Sequence, residues 1–219
     1  YDERGCGLSD WNVGDFSFSD WITDLESIVD TLELERFPLL GISQGAAVAV
    51  AYAARHPSRV SRLVLVGGYP KGRSARAEDD ASRAEADVQV ELARVGWGTD
   101  DSAFRQVFTS QFMPAASRDL WEEFNDLQRR TTSPTNAARF MEVFGGVDVS
   151  AAAADVRCPT LILHSRDELR VPLASAIELA GLIPGSQLSL LPSSNHLVLQ
   201  SEEAWDLLRD QVDEFLAGG

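Results

Sequence analysis

Gly41-Ile42-Ser43-Gln44-Gly45 stands between the short apolar run Phe37-Pro38-Leu39-Leu40 and the small-residue stretch Ala46-Ala47-Val48-Ala49-Val50-Ala51-Tyr52-Ala53-Ala54. The first run reads as a buried strand. The second is a strong helix former that is apolar nearly all round, and such a helix has to be covered on several sides. Strand, very tight turn and helix in succession put Ser43 at the tip of the turn. That turn strains the backbone of its central residue, and a β-carbon at either flanking position would collide with the adjoining strand and helix, hence the two glycines. The hydroxyl is made to project, and the helix N-terminus beneath it offers backbone N–H groups, that of Gln44 first, to developing negative charge. A glycine-bounded loop with an idle serine is the plain alternative, but the flanking strand and helix are the context in which such a serine acts as a nucleophile.

A serine hydroxyl near neutral pH needs a base, and the base needs a group to orient it. The chain has three histidines, His56, His164 and His196. His56, in Arg55-His56-Pro57, reads as the C-terminal residue of the helix after Ser43, facing the helix dipole. His164 closes the apolar run Thr160-Leu161-Ile162-Leu163 and reads as a strand-end residue packed near the site, open to a supporting polar role. His196 lies in a loop between the strand-like Gln187-Leu188-Ser189-Leu190-Leu191 and a final helix, which leaves it as the base. For the orienting acid, Asp167 follows a buried strand in a turn closed by Val171-Pro172. It is preferred because a side chain at a strand end can reach across the top of a parallel sheet; Glu168 is the local competitor and Asp148 a more distant one. Helix capping is the ordinary role of acids in such turns. The order along the chain is then Ser43, Asp167, His196.

With these residues in place, the chain resembles the α/β-hydrolase superfamily, in its serine esterase and haloperoxidase-like branch. Tyr1-Asp2-Glu3-Arg4-Gly5-Cys6-Gly7-Leu8-Ser9 is similar to the family's Asp-x-Arg-Gly-x-Gly-x-Ser loop. Ala53-Ala54-Arg55-His56-Pro57-Ser58-Arg59-Val60 and Leu63-Val64-Leu65-Val66 resemble the helix and strand after the serine turn. Cys158-Pro159-Thr160-Leu161-Ile162-Leu163-His164-Ser165-Arg166-Asp167 resembles the acid-bearing strand and loop. Ser193-Ser194-Asn195-His196 departs from the commoner glycine-containing approach to the histidine. The resemblance implies an α/β-hydrolase fold: a mostly parallel, doubly wound sheet with an inserted helical lid. Core segments are expected at 1–70 and 156–219, and the lid at 71–155. It also implies that the N-terminal part of the sheet, on the order of 60–80 residues, lies upstream of this chain, together with the loop that donates the second oxyanion-hole N–H.

Residue patterning points the same way. Strands alternate with helices, as in a doubly wound α/β architecture. Trp21, Ile22, Leu25, Ile28, Val29 and Leu32 recur at helical spacing after Ser19 or Asp20 and predict a helix packed on the sheet. Trp205, Leu208, Val212 and Phe215 predict an amphipathic terminal helix. Between about Lys71 and Asp155 the strand signal disappears, and four or five helices are expected. Their apolar positions are Val88, Leu92 and Val95; Phe104, Val107, Phe108 and Phe112; Leu120, Trp121, Phe124 and Leu127; and Phe140, Val143 and Phe144. One or two among Trp97, Phe108, Phe112, Trp121 and Phe144 are expected to face a substrate.

The 219 residues, 44% of them hydrophobic, suit one domain with an inserted subdomain. A net charge of −15, from 34 acidic and 19 basic residues, disfavours nucleic acid and anionic membrane as partners. Two cysteines, Cys6 and Cys158, form no disulfide framework and suit reduced thiols in a cytoplasmic protein. No apolar run approaches the ~20 residues of a membrane span. Gly5-x-Gly7 lacks the rest of a dinucleotide fingerprint, and no metal or phosphate motif accompanies it. The expectation is a serine hydrolase without cofactor or bound metal that cleaves a small or medium apolar carboxylic ester or related acyl substrate. The catalytic residues would be Ser43, Asp167 and His196, with Gln44 N–H as one oxyanion donor. The alternative is a hydrolase-like, ligand-sensing module of a larger regulatory protein.

Overall fold

The structure, a computed structural model, describes residues 1–218. The chain forms two compact units, one of Tyr1–Asp24, Lys71–Ser110 and Ala116–Val147, the other of Leu25–Pro70, Gln111–Ala115 and Asp148–Gly219. Residues 1–24, read from sequence with the sheet, therefore cluster with the helical segment, and 111–115 cluster with the sheet.

The sheet unit is built on four parallel strands, β1 (Phe37–Ile42), β2 (Val60–Val66), β3 (Thr160–Ser165) and β4 (Gln187–Leu191), in the order β1-β2-β3-β4. Two-residue alternation assigns the faces. Val64, Val66, Leu161, Leu163 and Leu191 join Ala204 in a buried cluster on which Val198 and, from the terminal helix, Leu208, Val212 and Phe215 pack. Gly41, Leu65 and Ile162 share a register row and point to the opposite face. There Gly41 lies directly under the helix that follows Ser43. The sheet is thus covered on both faces, which explains why β3 is buried along its whole length.

Register also decides where function can sit. Ile42 pairs with Val66 and Val66 with Leu163. The ladder continues one step further, with Ser43 N donating to Val66 O at 2.8 Å and Gly67 N to Leu163 O at 2.9 Å. Ser43, Gly67 and His164 are consequently neighbours at the carboxyl edge of the sheet, where open α/β sheets bind ligands.

Helix α1 (Phe18–Thr31) starts just before the expected caps, with Ser17 N and Oγ both donating to Asp20 Oδ2. Its expected docking on the sheet is corrected at Trp21. That side chain is wholly buried in the helical unit, stacked on Phe144 and Phe140 with centroids 4.3 and 5.4 Å away. Leu32 falls beyond the helix and is exposed. Helix α2 (Gln44–Arg55) joins β1 to β2, and five helices lie between β2 and β3, namely α3 (Asp80–Gly96), α4 (Ala103–Phe112), α5 (Arg118–Thr131), α6 (Pro134–Gly146) and α7 (Ser150–Ala154). The expected faces of two of them are wrong. On α3, Val88 and Val95 are more than half exposed, while Ala86, Gln89, Ala93 and Gly96 are buried. Small residues permit close packing, and a β-carbon on Gly96 would stand 2.1 Å from Phe104. On α5 the buried residues are polar, Asn125 and Gln128. Thr109 Oγ1 donates to Asn125 Oδ1 at 2.5 Å, Gln128 Nε2 donates to Thr109 Oγ1 at 2.7 Å, and buried Arg105 donates to Asn125 O at 2.9 Å. The chain closes with α8 (Leu173–Leu182) and α9 (Glu203–Ala217).

Among the described residues, no helix is long and apolar enough to cross a membrane.

The close approach of α2 to β1 gives a stability prediction. A β-carbon at Gly41 would lie 2.6 Å from Gly45 O and 2.8 Å from Ala46 Cα, both backbone atoms that cannot swing aside. Gly41→Ala is expected to cost about 1–3 kcal/mol, the usual range for forced overpacking, read as a lowered urea midpoint at unchanged slope. Gly45 differs, since its added β-carbon would meet nothing within 4 Å. The steric reason expected for both glycines holds only for Gly41.

Candidate active site

Ser43 lies between β1 and α2 with φ 53° and ψ −120°. It is one of two non-glycine residues with positive φ among those described. The strained turn expected from the sequence is present, and a strain of roughly 1–3 kcal/mol is retained only where its surroundings enforce it. Here they do so through the Ser43 N–H bond to Val66 O and through Ser43 O, which accepts from Ala46 N at 3.0 Å in the first turn of α2. Gln44 is the first residue of that helix, so its backbone N–H lies at the positive end of the dipole.

His196 approaches the same edge from the loop after β4 and is 2% exposed. Gly67, with φ +60°, lies against its ring, because a β-carbon there would be 2.8 Å from Cε1 and 3.1 Å from Nδ1. Gly67 directly follows Val66, whose carbonyl holds Ser43 N. The imidazole and the serine turn therefore meet the C-terminal end of β2 from two sides. Nδ1 of His196 is in contact with Glu168 Oε2. Nε2 is buried and has no hydrogen-bond partner among the described residues.

The acid at the imidazole is thus Glu168, not the expected Asp167. Asp167 is exposed, and its backbone N–H donates to Ser193 O at 3.1 Å. Glu168 has a side-chain exposure of 1%. Its Oε2 also accepts from Val171 N at 3.2 Å, and its Oε1 lies 3.1 Å from Nε2 of wholly buried His164. That second approach lies outside the angle of a direct hydrogen bond. The physical reason for the exchange is directional: successive residues leaving a strand point to different sides, and the turn pinned at Asp167 N sends the next side chain inward. Burial, opposed by the nearby Glu168 carboxyl, pushes the His164 imidazole down from its ordinary range and so favours its neutral form. Asp148 lies just before α7 instead, its Oδ1 accepting from Ser150 N at 2.9 Å. His56 ends α2 and pairs with Glu26 Oε1 at 2.8 Å.

The loop carrying His196 is fastened by residues that sequence reading did not single out. Glu202 accepts from Ser193 Oγ at 2.5 Å, from Asn195 Nδ2 at 2.7 Å and from Leu199 N at 2.7 Å. Asn195, fully buried, accepts from Ala115 N at 3.0 Å, and Phe112 O accepts from His196 N at 2.8 Å. The Phe112 ring stands edge-on to the imidazole at 5.4 Å, while Arg170 covers its face at 5.2 Å. The departure at Ser193-Ser194-Asn195 from the glycine-containing loop was the available signal. A polar loop residue beside a histidine needs a partner when buried, and Glu202 lies one turn downstream.

A family model described as "alpha/beta hydrolase fold" matches residues 1–202. The 2-hydroxy-6-oxo-2,4-heptadienoate hydrolase of Pseudomonas putida is 31% identical over 212 residues, covering 92% of this chain and 71% of that protein. The enol-lactonase of Burkholderia xenovorans superposes with a TM-score of 0.82 at 23% identity, covering 99% of this chain and 79% of that one. An esterase from Exiguobacterium antarcticum gives 0.83 at 22% identity, covering 98% and 79%. Parallel sheet, serine turn, family match and relatives agree: the chain belongs to the α/β-hydrolase family and is an enzyme of the hydrolase type.

Proposed function

We propose that this enzyme is a serine hydrolase that cleaves small or medium apolar carboxylic esters, or related acyl compounds, through an acyl-enzyme. The observation that carries the reading is the state of the His196 ring, with Nδ1 on Glu168, its flank on Gly67 beside the Ser43 turn, and Nε2 buried and unpartnered. Ser43 Oγ attacks the carbonyl carbon as Nε2 takes its proton, and the same nitrogen returns that proton to the leaving group. Water then attacks the acyl-enzyme by the reverse proton transfers. Glu168 keeps the remaining ring proton on Nδ1, so that Nε2 stays an acceptor. The N–H of Gln44 meets the tetrahedral oxyanion at the positive end of α2, a donor whose loss costs about 10²–10³ in turnover in comparable enzymes. Two unpaired cysteines, Cys6 and Cys158, suit work in the reducing cytoplasm.

The experiment is labelling of the full-length protein with a fluorophosphonate, followed by peptide mapping. Modification at Ser43 alone, abolished in His196→Ala, is expected. Modification at another serine, or none in folded protein, rejects the reading. A substrate panel of p-nitrophenyl esters of rising acyl length, with a 2-hydroxy-6-oxodienoate included because one relative bears that name, then assigns the acyl class.

A further inference from the structure

Glu168 is bordered by a histidine on each oxygen, and only one of the two is used by the mechanism above. His196 Nδ1 meets Oε2, while His164 Nε2 stands 3.1 Å from Oε1. Both imidazole side chains are 0% exposed and the carboxyl 1%. A glutamate carries one more rotatable bond than an aspartate, so a carboxyl at the end of this longer arm needs contacts at both oxygens to keep one orientation. Oε2 has two, His196 Nδ1 and Val171 N. The facing group for Oε1 is His164, whose backbone is fixed in β3 opposite Leu190. We propose that His164 is a positioning residue: as a neutral imidazole protonated on Nε2, it holds Oε1 so that Oε2 stays aimed at His196 Nδ1.

The chemistry requires the neutral form. A charged His164 would compete with His196 for the same carboxylate and draw it away as His196 takes the serine proton. Wholly buried, His164 resists that charge, and burial dominates over the attraction of Glu168. A neutral donor orients the acid without competing for its charge. The 3.1 Å separation is already hydrogen-bond distance, and only the relative angle of the two groups keeps it from being a direct bond.

This inference rests on the Ser43-His196-Glu168 reading, so it is tested by measurements that separate the two. In the unmutated full-length protein, nitrogen-15 NMR of the histidine rings is expected to show His164 as the neutral Nε2–H tautomer; the Nδ1–H tautomer or an imidazolium overturns the proposal whatever the enzyme cleaves. His164→Leu is expected to lower kcat and the rate of Ser43 phosphonylation by about 10²-fold, the usual consequence of a small misplacement of a catalytic group, with KM within a few-fold. His164→Gln, whose amide nitrogen can donate from a similar place, is expected to recover most of that loss. Two folded variants equally impaired mean that the ring serves packing alone, and an unimpaired His164→Leu removes the role; either result overturns it. Failure of Ser43 to react in the unmutated protein strikes the parent reading instead, and the tautomer still decides this one.

Discussion

Ser43→Ala is expected to reduce turnover of an activated ester by about 10⁶-fold, equivalent to ~8 kcal/mol of transition-state stabilisation at 1.36 kcal/mol per tenfold. On the proposed mechanism the size of the loss follows from Ser43, His196 and Glu168 acting as a unit. Without the oxygen there is no atom to acylate, and His196 Nε2 has no proton to take. What remains is the electrostatic environment of the α2 N-terminus and whatever binding orients the substrate, together worth about 10³–10⁴ over water in comparable enzymes. The substitution removes one oxygen at a half-exposed turn tip. Stability should not fall, and relief of the positive φ is not expected, because alanine is no better suited to φ 53° than serine. A variant that melts as the parent does but retains activity within a few-fold would show that the nucleophile lies elsewhere.

The serine turn was legible because three independent sequence signals coincide over eighteen residues: a short apolar strand, glycines bracketing the turn, and a small-residue helix. The structure returns the strand, the strained Ser43 and the buried side of α2, but β1 is the first strand in the sheet order and its Leu40 and Ile42 are exposed, so the run is not the buried strand it reads as. The placement of His196 beside the serine turn was legible by elimination, since His56 is committed to the end of α2 and His164 to β3. The acid was not, and the reason is geometric. Sequence identifies the loop after β3 as the place for a carboxylate, but Asp167 and Glu168 differ only by which way a turn points them. That direction is set by Asp167 N bonding to Ser193 O, a contact with a residue 26 positions later that no local pattern encodes.

The helical segment shows a second kind of blindness. Hydropathy chose Val88 and Val95 for the core of α3, yet helix packing preferred the smooth side of Ala86, Ala93 and Gly96. On α5 the buried side is Asn125 and Gln128, each hydrogen-bonded to Thr109 on α4. A hydrogen-bonded amide in a core looks in sequence like a solvated one. Phe112, among the five aromatics of which one or two were expected to face a substrate, is the one found against His196. It does so because its carbonyl, not its ring, is fastened to the histidine loop.

The exchange of acids can be decided by two neighbouring substitutions. Glu168→Gln keeps the volume and one oxygen but places an amide where the carboxyl meets Nδ1. An amide nitrogen facing Nδ1 turns that atom into an acceptor and moves the ring proton to Nε2, the nitrogen that has to receive the proton of Ser43. Turnover is expected to fall by about 10⁴-fold, as when the triad acid becomes its amide elsewhere, with KM changed far less. Asp167→Asn alters an exposed side chain and keeps the backbone N–H that bonds to Ser193 O. Its turnover is expected to stay within about twofold, since exposed substitutions away from such features rarely exceed ±0.5 kcal/mol. Measured side by side on one ester, with melting curves to show both variants folded, the pair gives a ratio of several thousand if Glu168 orients the base. A ratio inverted in favour of Asp167 would restore the acid first read from the sequence, and would require the turn after β3 to reverse the two side chains in the working enzyme.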